Sequence, residues 1–276
     1  MLIVTLTSIP PRFAKLGPTL ESLTQQTARP DRIILYVPRT YRRFPDYDGH
    51  LPEVPEGVEI CQIDEDYGPA TKVLPAVRAF RGQDCDILFC DDDRIYPPDW
   101  TALFLRERKA HPEACIAPVA RPASELFDSK QIRDHHPRAV QRAWATDIPF
   151  LLRFAVYLVR QKLFGMTPRP TRLVIKTAGY TDLLMGFGGV LVRPEFFDDT
   201  AFDIPDVMWT VDDIWLSGML AKNNVPIWTP ANVAQPKNSH AWSEASLAAS
   251  VIEGAGRDAA DRTCFEYLQK TYGIWP

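Results

Sequence analysis

The first third of the chain alternates short apolar strands with helical segments, and this order restricts the fold more than any other feature. The apolar, β-branched runs predict strands at residues 2–6, 32–37, 58–63 and 86–90. Between them, the spacing predicts helices at residues 18–26, 70–80 and 98–110, with Pro75 as an irregularity in the second. Such an order forms βαβ units. We therefore predict an α/β fold with a mixed, mostly parallel sheet flanked by helices.

The rest of the chain adds fewer and less regular elements. A helix is predicted at residues 150–164, and a glycine turn at residues 186–189 leads into a strand that ends at residue 192. A helix at 211–222 and a short strand at 226–229 follow. Residues 243–272 are predicted to form a closing helical region.

Composition limits the class of protein. The chain has 276 residues, of which 46% are hydrophobic and 24% charged. Its net charge of −4 disfavours a protein that binds nucleic acid without sequence preference. The five cysteines include no C-x-x-C pair, and the start lacks a basic segment before its short apolar run. No stretch reaches the roughly 20 apolar residues of a spanning helix. We expect reduced thiols and a cytoplasmic location.

The charge is divided unevenly along the chain. Residues 121–176 carry eleven Lys/Arg against four Asp/Glu, so this segment has a net charge of +7 and the remainder −11. The predicted helix within it has a narrow polar stripe at Arg153, Tyr157, Arg160 and Gln161. We favour a core helix with one solvated edge. The other interpretation is a peripheral contact with an anionic membrane or a lipid-linked substrate.

Three carboxylates, Asp91, Asp92 and Asp93, end the predicted strand at 86–90. Because adjacent acids repel one another, such a group needs a cation or a basic partner. Asp91 and Asp93 lie on one side of an extended chain and can share a divalent ion, which prefers oxygen ligands. Asp92 then faces the other way, toward a ribose hydroxyl or the backbone. A solvated turn that caps the next helix is the plainer alternative.

Two further acidic segments stand at predicted element boundaries. Asp66 and Lys72 flank a Gly-Pro turn, and a lysine beside free helix N–H groups suits a phosphate or a carboxylate. An exposed lysine on a capped helix explains that segment equally well.

Asp212 and Asp213 open an apolar helix, where a carboxylate could act as general base or only complement the helix dipole. His240 stands alone, and a lone histidine is more often structural.

Taken in order, these segments resemble GT-A-type glycosyltransferases, in particular family-2-like enzymes of bacterial surface polysaccharide synthesis. The motifs that carry the resemblance are Thr5-Leu6-Thr7-Ser8-Ile9-Pro10, Asp66-Tyr67-Gly68-Pro69 with Lys72, the D-x-D-containing Asp91-Asp92-Asp93, Gly186–Gly189, Asp212-Asp213 and His240. They span residues 3 to 242. No single motif is specific, but the ordered set is. Where the family has Glu-Asp, this sequence has Asp-Asp.

The resemblance implies a GT-A-like, Rossmann-type sheet and a nucleotide-sugar donor. Residues implied to bind the donor are Thr5, Ser8, Arg12, Asp66, Lys72, Asp92, Gly188 and Gly189. Those implied to bind Mn²⁺ or Mg²⁺ are Asp91, Asp93 and His240, and the ion would stabilise the departing nucleoside diphosphate. If the enzyme inverts, the implied base is Asp213, with Asp212 as the alternative.

The implied protein is a hexosyltransferase-type enzyme that glycosylates a hydroxyl of a glycan or lipid-linked acceptor. We predict one domain over residues 1–276: a nucleotide-sugar half at 1–118, a basic helical insert at 119–178, and an acceptor-binding half with C-terminal helices at 179–276. The insert is also a candidate for acceptor contact. We predict that the protein is located in the cytoplasm. If the insert contacts lipid, we expect it at the inner face of the membrane.

Two other functions stay open at the level of sequence. A sugar-phosphate nucleotidyltransferase would share the fold, although no glycine-rich phosphate loop stands near the N-terminus. A non-catalytic carbohydrate-binding partner of an envelope assembly would share the aromatic and acidic segments. Release of pyrophosphate marks the first, and glycan binding without transfer marks the second.

Overall fold

A central eight-stranded sheet organises the structure, a computed structural model that describes residues 1–125, 135–165, 170–245 and 257–275. The strands are β1 (Leu2–Thr7), β2 (Arg32–Pro38), β3 (Val58–Ile63), β4 (Asp86–Phe89), β5 (Arg94–Ile95), β6 (Cys115–Ile116), β7 (Ala120–Arg121), β8 (Val140–Gln141), β9 (Ile175–Thr177), β10 (Gly179–Thr181), β11 (Leu183–Leu184), β12 (Val190–Val192), β13 (Ile227–Thr229) and β14 (Lys237–Asn238). The α-helices are α1 (Gly17–Thr24), α2 (Leu74–Ala79), α3 (Trp100–Ala110), α4 (Ile148–Phe164), α5 (Asp212–Lys222) and α6 (Arg257–Tyr272).

The sheet is mixed and mostly parallel. Its order is β10-β13-β6-β12-β4-β1-β2-β3. β3, β2, β1 and β4 run parallel, β12 is antiparallel to both β4 and β6, and β10 is antiparallel to β13. Six of the eight strands therefore share one direction. The predicted class, a mostly parallel sheet flanked by helices with a helical insert, is confirmed.

Helices cover both faces of the sheet because successive strand residues point to opposite sides. In β1, Val4 and Leu6 belong to a cluster with buried side chains of α1 and α3. Ile3 faces the other way and joins a second cluster with α2, α5 and α6. β1 is thus buried on both faces, which explains its continuous apolar run.

Several helices differ in extent from the predictions. The segment predicted as one helix at 70–80 is divided into a 3₁₀ turn at Gly68–Lys72 and α2. Pro75 lies in the first turn of α2, where its missing N–H costs no helical hydrogen bond. In the closing region, α6 begins at Arg257, and residues 246–256 lie outside the described residues.

Two short antiparallel ladders involve the basic insert. β7 pairs with β11, which follows the insert in the chain, and β8 pairs with β9 within it. At its base, Arg172 Nε lies 3.0 Å from Asp147 Oδ2, at the start of α4. From there α4 extends with one buried side chain, Phe150, among its residues, all of which are described. The favoured interpretation of a core helix with one solvated edge is therefore wrong.

Candidate functional site

A cavity of about 300 Å³ opens at the carboxyl ends of β1 and β4. Because the two strands are parallel neighbours, the residues that follow them meet at one edge of the sheet. Its lining also includes the 3₁₀ turn before α2 and the start of α5. The predicted residues that line it are Ser8, Arg12, Asp66, Lys72, Asp91, Asp92, Asp93, Asp212 and Asp213. The volume lies at the lower end of the range for small-ligand sites.

Asp92 is fixed by two residues that follow β1. Its Oδ2 accepts a hydrogen bond from Ser8 Oγ at 2.5 Å, and its Oδ1 accepts one from Arg12 NH1 at 2.5 Å. Burial raises the pKa of Asp92, and Arg12 offsets this only in part. The middle carboxylate of the triplet therefore holds Arg12 at the cavity.

Lys72 is the cation at the centre of the acidic site. Its Nζ lies 2.6 Å from Asp91 Oδ1 and 2.7 Å from Asp212 Oδ2, and the residue is 4% exposed. Burial alone would lower the pKa of Lys72, but Asp212 and Asp91 raise it. Burial would likewise raise the pKa of Asp91, yet the ammonium of Lys72 outweighs it and lowers that pKa. The alternative of an exposed lysine is therefore wrong.

Asp93 carries a carboxyl group whose ionisation its surroundings disfavour. Burial, followed by the charges of Asp91 and Asp92, raises its pKa to about 6. Arg94 Nε at 3.2 Å and Arg12 NH1 at 3.4 Å only moderate this effect. The triplet thus retains negative charge that its basic neighbours do not fully compensate.

Asp213 is positioned by a glycine backbone. Its Oδ1 accepts a hydrogen bond from the Gly186 N–H at 2.9 Å. A Cβ at Gly186 would lie 2.5 Å from Lys72 Nζ and 3.1 Å from that same carboxylate oxygen. Only glycine lets the backbone pass this close to both groups. Gly186 thereby lies against both the start of α5 and the side chain of Lys72.

Asp66 forms another part of the cavity wall and is held by hydrogen bonds to the backbone. Its carboxylate accepts hydrogen bonds from the N–H groups of Gly68 at 2.9 Å and Arg42 at 2.8 Å. Trp209 Nε1 donates to the Asp66 carbonyl at 2.9 Å. Burial raises the pKa of Asp66. This carboxylate therefore stabilises the turn that carries Lys72 toward the cavity.

Four predicted residues are not among those found to line the cavity. Thr5 is buried inside β1. The Gly188 carbonyl accepts a hydrogen bond from Trp100 Nε1 at 3.0 Å, and a Cβ on Gly189 would lie 2.3 Å from the Trp100 ring. These two glycines permit close packing behind the site. His240 is exposed, although the preceding Ser239 N–H donates to the Asp93 carbonyl at 2.8 Å.

The sequence analysis missed several residues of the lining. Arg94 stands over the Phe187 ring at 4.7 Å, and both side chains line the cavity. Arg94 directly follows the triplet and Phe187 lies inside the glycine motif, and these positions could have indicated both residues. Further missed residues are Tyr41, Arg43, Phe44, Met185 and Trp242. The first three lie in a segment that sequence patterns describe only as a loop.

The donor set suits a hard divalent cation that shares its coordination with substrate. Asp91 and Asp93 supply carboxylate oxygens, and Mg²⁺ commonly takes one or two carboxylates together with phosphate oxygens and water. The raised pKa of Asp93 also marks negative charge that a cation would offset. Within the described ranges, no group of three or more His, Cys, Asp or Glu is arranged to hold a metal by itself. An ion held by Asp91 and Asp93 would take its remaining ligands from water or a bound molecule.

Comparisons with known proteins give structural neighbours alone. No protein-family model and no curated protein matches the chain. Among solved structures, S. aureus TarS 1-349 aligns at a TM-score of 0.45 and 12% identity, covering 99% of this chain and 72% of that one. Its complex with UDP aligns at 0.43 and 12%, with the same coverage. A longer S. aureus TarS structure aligns at 0.43 and 12% identity over 98% of this chain and 43% of its own.

Proposed function

We propose that this protein is a metal-dependent glycosyltransferase of the hexosyltransferase type. It moves a sugar from a nucleotide-diphosphate donor to a hydroxyl of a glycan or lipid-linked acceptor in bacterial surface polysaccharide synthesis. The observation that carries the proposal is one cavity that gathers the acidic triplet, the buried Lys72 and the Asp212-Asp213 pair at the carboxyl edge of a mostly parallel sheet. Sequence patterns alone left each of these groups with a plainer explanation.

The basic side chains of the cavity suit an anionic donor. Arg12, Arg43, Lys72 and Arg94 all line it beside six carboxylates. Arg12 and Arg94 both lie within 3.5 Å of Asp93, so a phosphate near this carboxylate would meet two guanidinium groups. Asp91 and Asp93 would hold Mn²⁺ or Mg²⁺, which when bound offsets the charge of the departing diphosphate. We also propose His240 as a further ligand of this ion.

Asp213 is the better placed general base. Asp212 is buried and its Oδ2 lies 2.7 Å from the ammonium of Lys72, so its charge serves to keep that lysine in place. Asp213 is only partly buried, lines the cavity and is oriented through one oxygen by the Gly186 N–H. A carboxylate held in this way can take the proton of an acceptor hydroxyl. This assignment applies to an inverting reaction.

The aromatic side chains of the lining suit a carbohydrate. Phe44, Phe187, Trp209 and Trp242 line the same cavity as the carboxylates. Apolar ring faces with neighbouring hydrogen-bond acceptors match the two kinds of surface of a sugar. A lipid-linked acceptor would require the protein to work at a membrane surface, and the cytoplasmic location stays part of the proposal.

Ligand-dependent stabilisation tests the proposal directly. UDP-, GDP-, CMP- and dTDP-sugars are added to the protein with Mn²⁺ or with EDTA, and the melting temperature is recorded. Binding to the folded state alone adds about 2.7 kcal/mol of stability at 100-fold excess over Kd. We expect a rise that requires both a nucleotide sugar and the ion. No rise with any donor in either condition would refute the proposal.

The base assignment needs a reaction readout. Asp213→Asn is expected to lower the rate of sugar transfer by about 10²–10⁴, the range of general base catalysis, while the donor still binds. Asp203→Asn, outside the cavity lining, is the control. Transfer at the parental rate by Asp213→Asn would remove the base assignment. Pyrophosphate release from a nucleoside triphosphate and a sugar phosphate would identify a nucleotidyltransferase instead.

A further inference from the structure

α4 is the most exposed apolar element of the described structure. Of its 17 residues, Phe150 alone is buried, and the helix ends at Phe164 with that ring 78% exposed. Near its start, Phe150 and Phe154 both contact the Trp144 ring, and Asp147 pairs with Arg172. After Phe150 no further side chain of the helix is buried.

Five of the seven large exposed apolar residues of α4 form one continuous stripe, and Leu158 and Phe164 lie outside it. The successive spacings in the stripe are four, four, three and four residues, so with about 3.6 residues per turn its members share a single face. The stripe consists of Ile148, Leu152, Val156, Val159 and Leu163, which are 63%, 64%, 53%, 57% and 67% exposed. Single exposed apolar residues are ordinary, but a contiguous stripe marks an interaction site.

The charges on α4 have one sign and border this stripe. The helix contains no Asp or Glu. By helical geometry, Arg153 and Arg160 lie along one border of the stripe and Lys162 along the other. All three side chains are exposed. Cations of this kind extend from the edge of an apolar face toward anionic groups while their stems stay in contact with it.

We propose that α4 docks in the plane of an anionic lipid bilayer, with its apolar stripe among the acyl chains and its basic borders at the phosphates. The order of groups across the helix, cation, apolar stripe, cation, matches the order of depths in a lipid interface. At 17 residues with three cations, α4 docks on the membrane and does not cross it. In the described part of the chain no helix has the length and apolarity for crossing.

Charge favours lipid over a second copy of the chain. Two α4 helices packed through their stripes would bring like-charged borders together, because neither carries an acid to pair with them. The surrounding insert has a net charge of +7, which adds to the attraction toward an anionic surface and to the repulsion between copies. This inference stands apart from the proposed chemistry, since no residue of α4 lines the cavity.

Vesicle sedimentation of the whole protein tests the apolar stripe. Vesicles are made of phosphatidylcholine with or without phosphatidylglycerol. We expect the double variant Leu152→Glu, Val159→Glu to bind the anionic vesicles about tenfold or more weakly than the parent protein. Its matched control is Leu51→Glu, Val207→Glu, which places the same charges on residues that are 43% and 46% exposed elsewhere. Donor-dependent thermal shifts of both variants check the integrity of the cavity.

Neutralising the basic borders of the stripe tests the electrostatic attraction between α4 and anionic lipid. The triple variant Arg153→Gln, Arg160→Gln, Lys162→Gln should lose about tenfold or more in affinity for anionic vesicles. The matched control, Arg106→Gln, Lys109→Gln, Lys270→Gln, removes three charges from exposed positions on α3 and α6 and should bind as the parent does. Added salt should weaken the binding of the parent protein.

Four results would overturn the proposal. The first is absence of binding to either kind of vesicle, and the second is equal binding to neutral and anionic vesicles. The third is equal loss of binding in the α4 variants and their controls. The fourth is a stable dimer in light scattering that Leu152→Glu, Val159→Glu converts to a monomer, which would assign the stripe to a second copy.

Discussion

The ammonium of Lys72 lies 2.7 Å from the carboxylate of Asp212, and both side chains are almost fully buried. The same ammonium reaches Asp91 at 2.6 Å. This one cation connects the loop after β4 with the first turn of α5. It therefore links the proposed metal-binding triplet to the helix that carries the proposed base.

Removing this cation should destabilise the fold. Lys72→Met leaves the buried Asp212 and the partly buried Asp91 without their counterion, and breaking a buried ion pair costs about 3–5 kcal/mol. We expect a loss of that size in the free energy of unfolding, measured in urea without metal, and a partial recovery when Mn²⁺ is added. Lys109→Met, at an exposed position on α3, is the control. A parental midpoint for Lys72→Met would show that Lys72 is not the required counterion.

Asp93 should make the stability of the metal-free protein depend on pH. Its pKa is raised to about 6 in the folded state from an ordinary value of 3.8, so the folded state holds this proton more tightly than the unfolded state. Stability from this group is present at low pH and lost as pH rises from about 4 to about 6, by about 3 kcal/mol at most.

The variant Asp93→Asn removes this loss. At about pH 7 we expect its free energy of unfolding without metal to exceed that of the parent protein, with the difference vanishing toward about pH 4. Asp84→Asn, at an exposed position, should show no such trend. An Asp93→Asn variant that is less stable than the parent at about pH 7 would contradict this prediction.

Gly186 should be required for activity more than for folding. A Cβ at this position would lie 2.5 Å from Lys72 Nζ, whose flexible stem can move away. Because the shift displaces groups at the site, Gly186→Ala should reduce kcat/KM by about tenfold to 10² with only a small change in melting temperature. Gly17→Ala, where a Cβ meets nothing within 4 Å, is the matched control. Unchanged kinetics in Gly186→Ala would show that the close approach is not functional.

Arg108 should matter for stability and not for the site. Its Nε donates to Asp86 Oδ1 at 2.8 Å, and its NH1 donates to the Ala114 carbonyl at 2.6 Å. Arg108→Met should lower the free energy of unfolding by about 3 kcal/mol or more, because a buried carboxylate and carbonyl lose their donors. Arg106→Met, on the exposed side of α3, should have little effect. A large change in KM at a temperature where Arg108→Met is folded would contradict this separation.

The sequence predicted the parallel part of the sheet well because its strands are continuous apolar runs. Burial on both faces leaves β1, β2 and β4 little choice of residue, and the pattern is read without knowledge of their partners. Residues that follow neighbouring parallel strands meet at one edge of the sheet. The acidic triplet and the Lys72 segment were therefore expected to lie close together. The antiparallel insertion of β12 between β4 and β6 was not predictable, since three-residue strands carry no periodicity.

For individual side chains, the sequence determined which chemical groups were present and the tertiary structure decided their use. Gly188 and Gly189 stand in the expected motif, yet they pack against Trp100 outside the cavity lining, while the Gly186 N–H donates to Asp213 at the cavity. α4 was predicted with nearly its observed bounds, but no element in the described part of the chain buries its apolar face. Periodicity fixes which residues share a face. Which faces meet, and which stay exposed, depends on contacts between segments far apart in the chain.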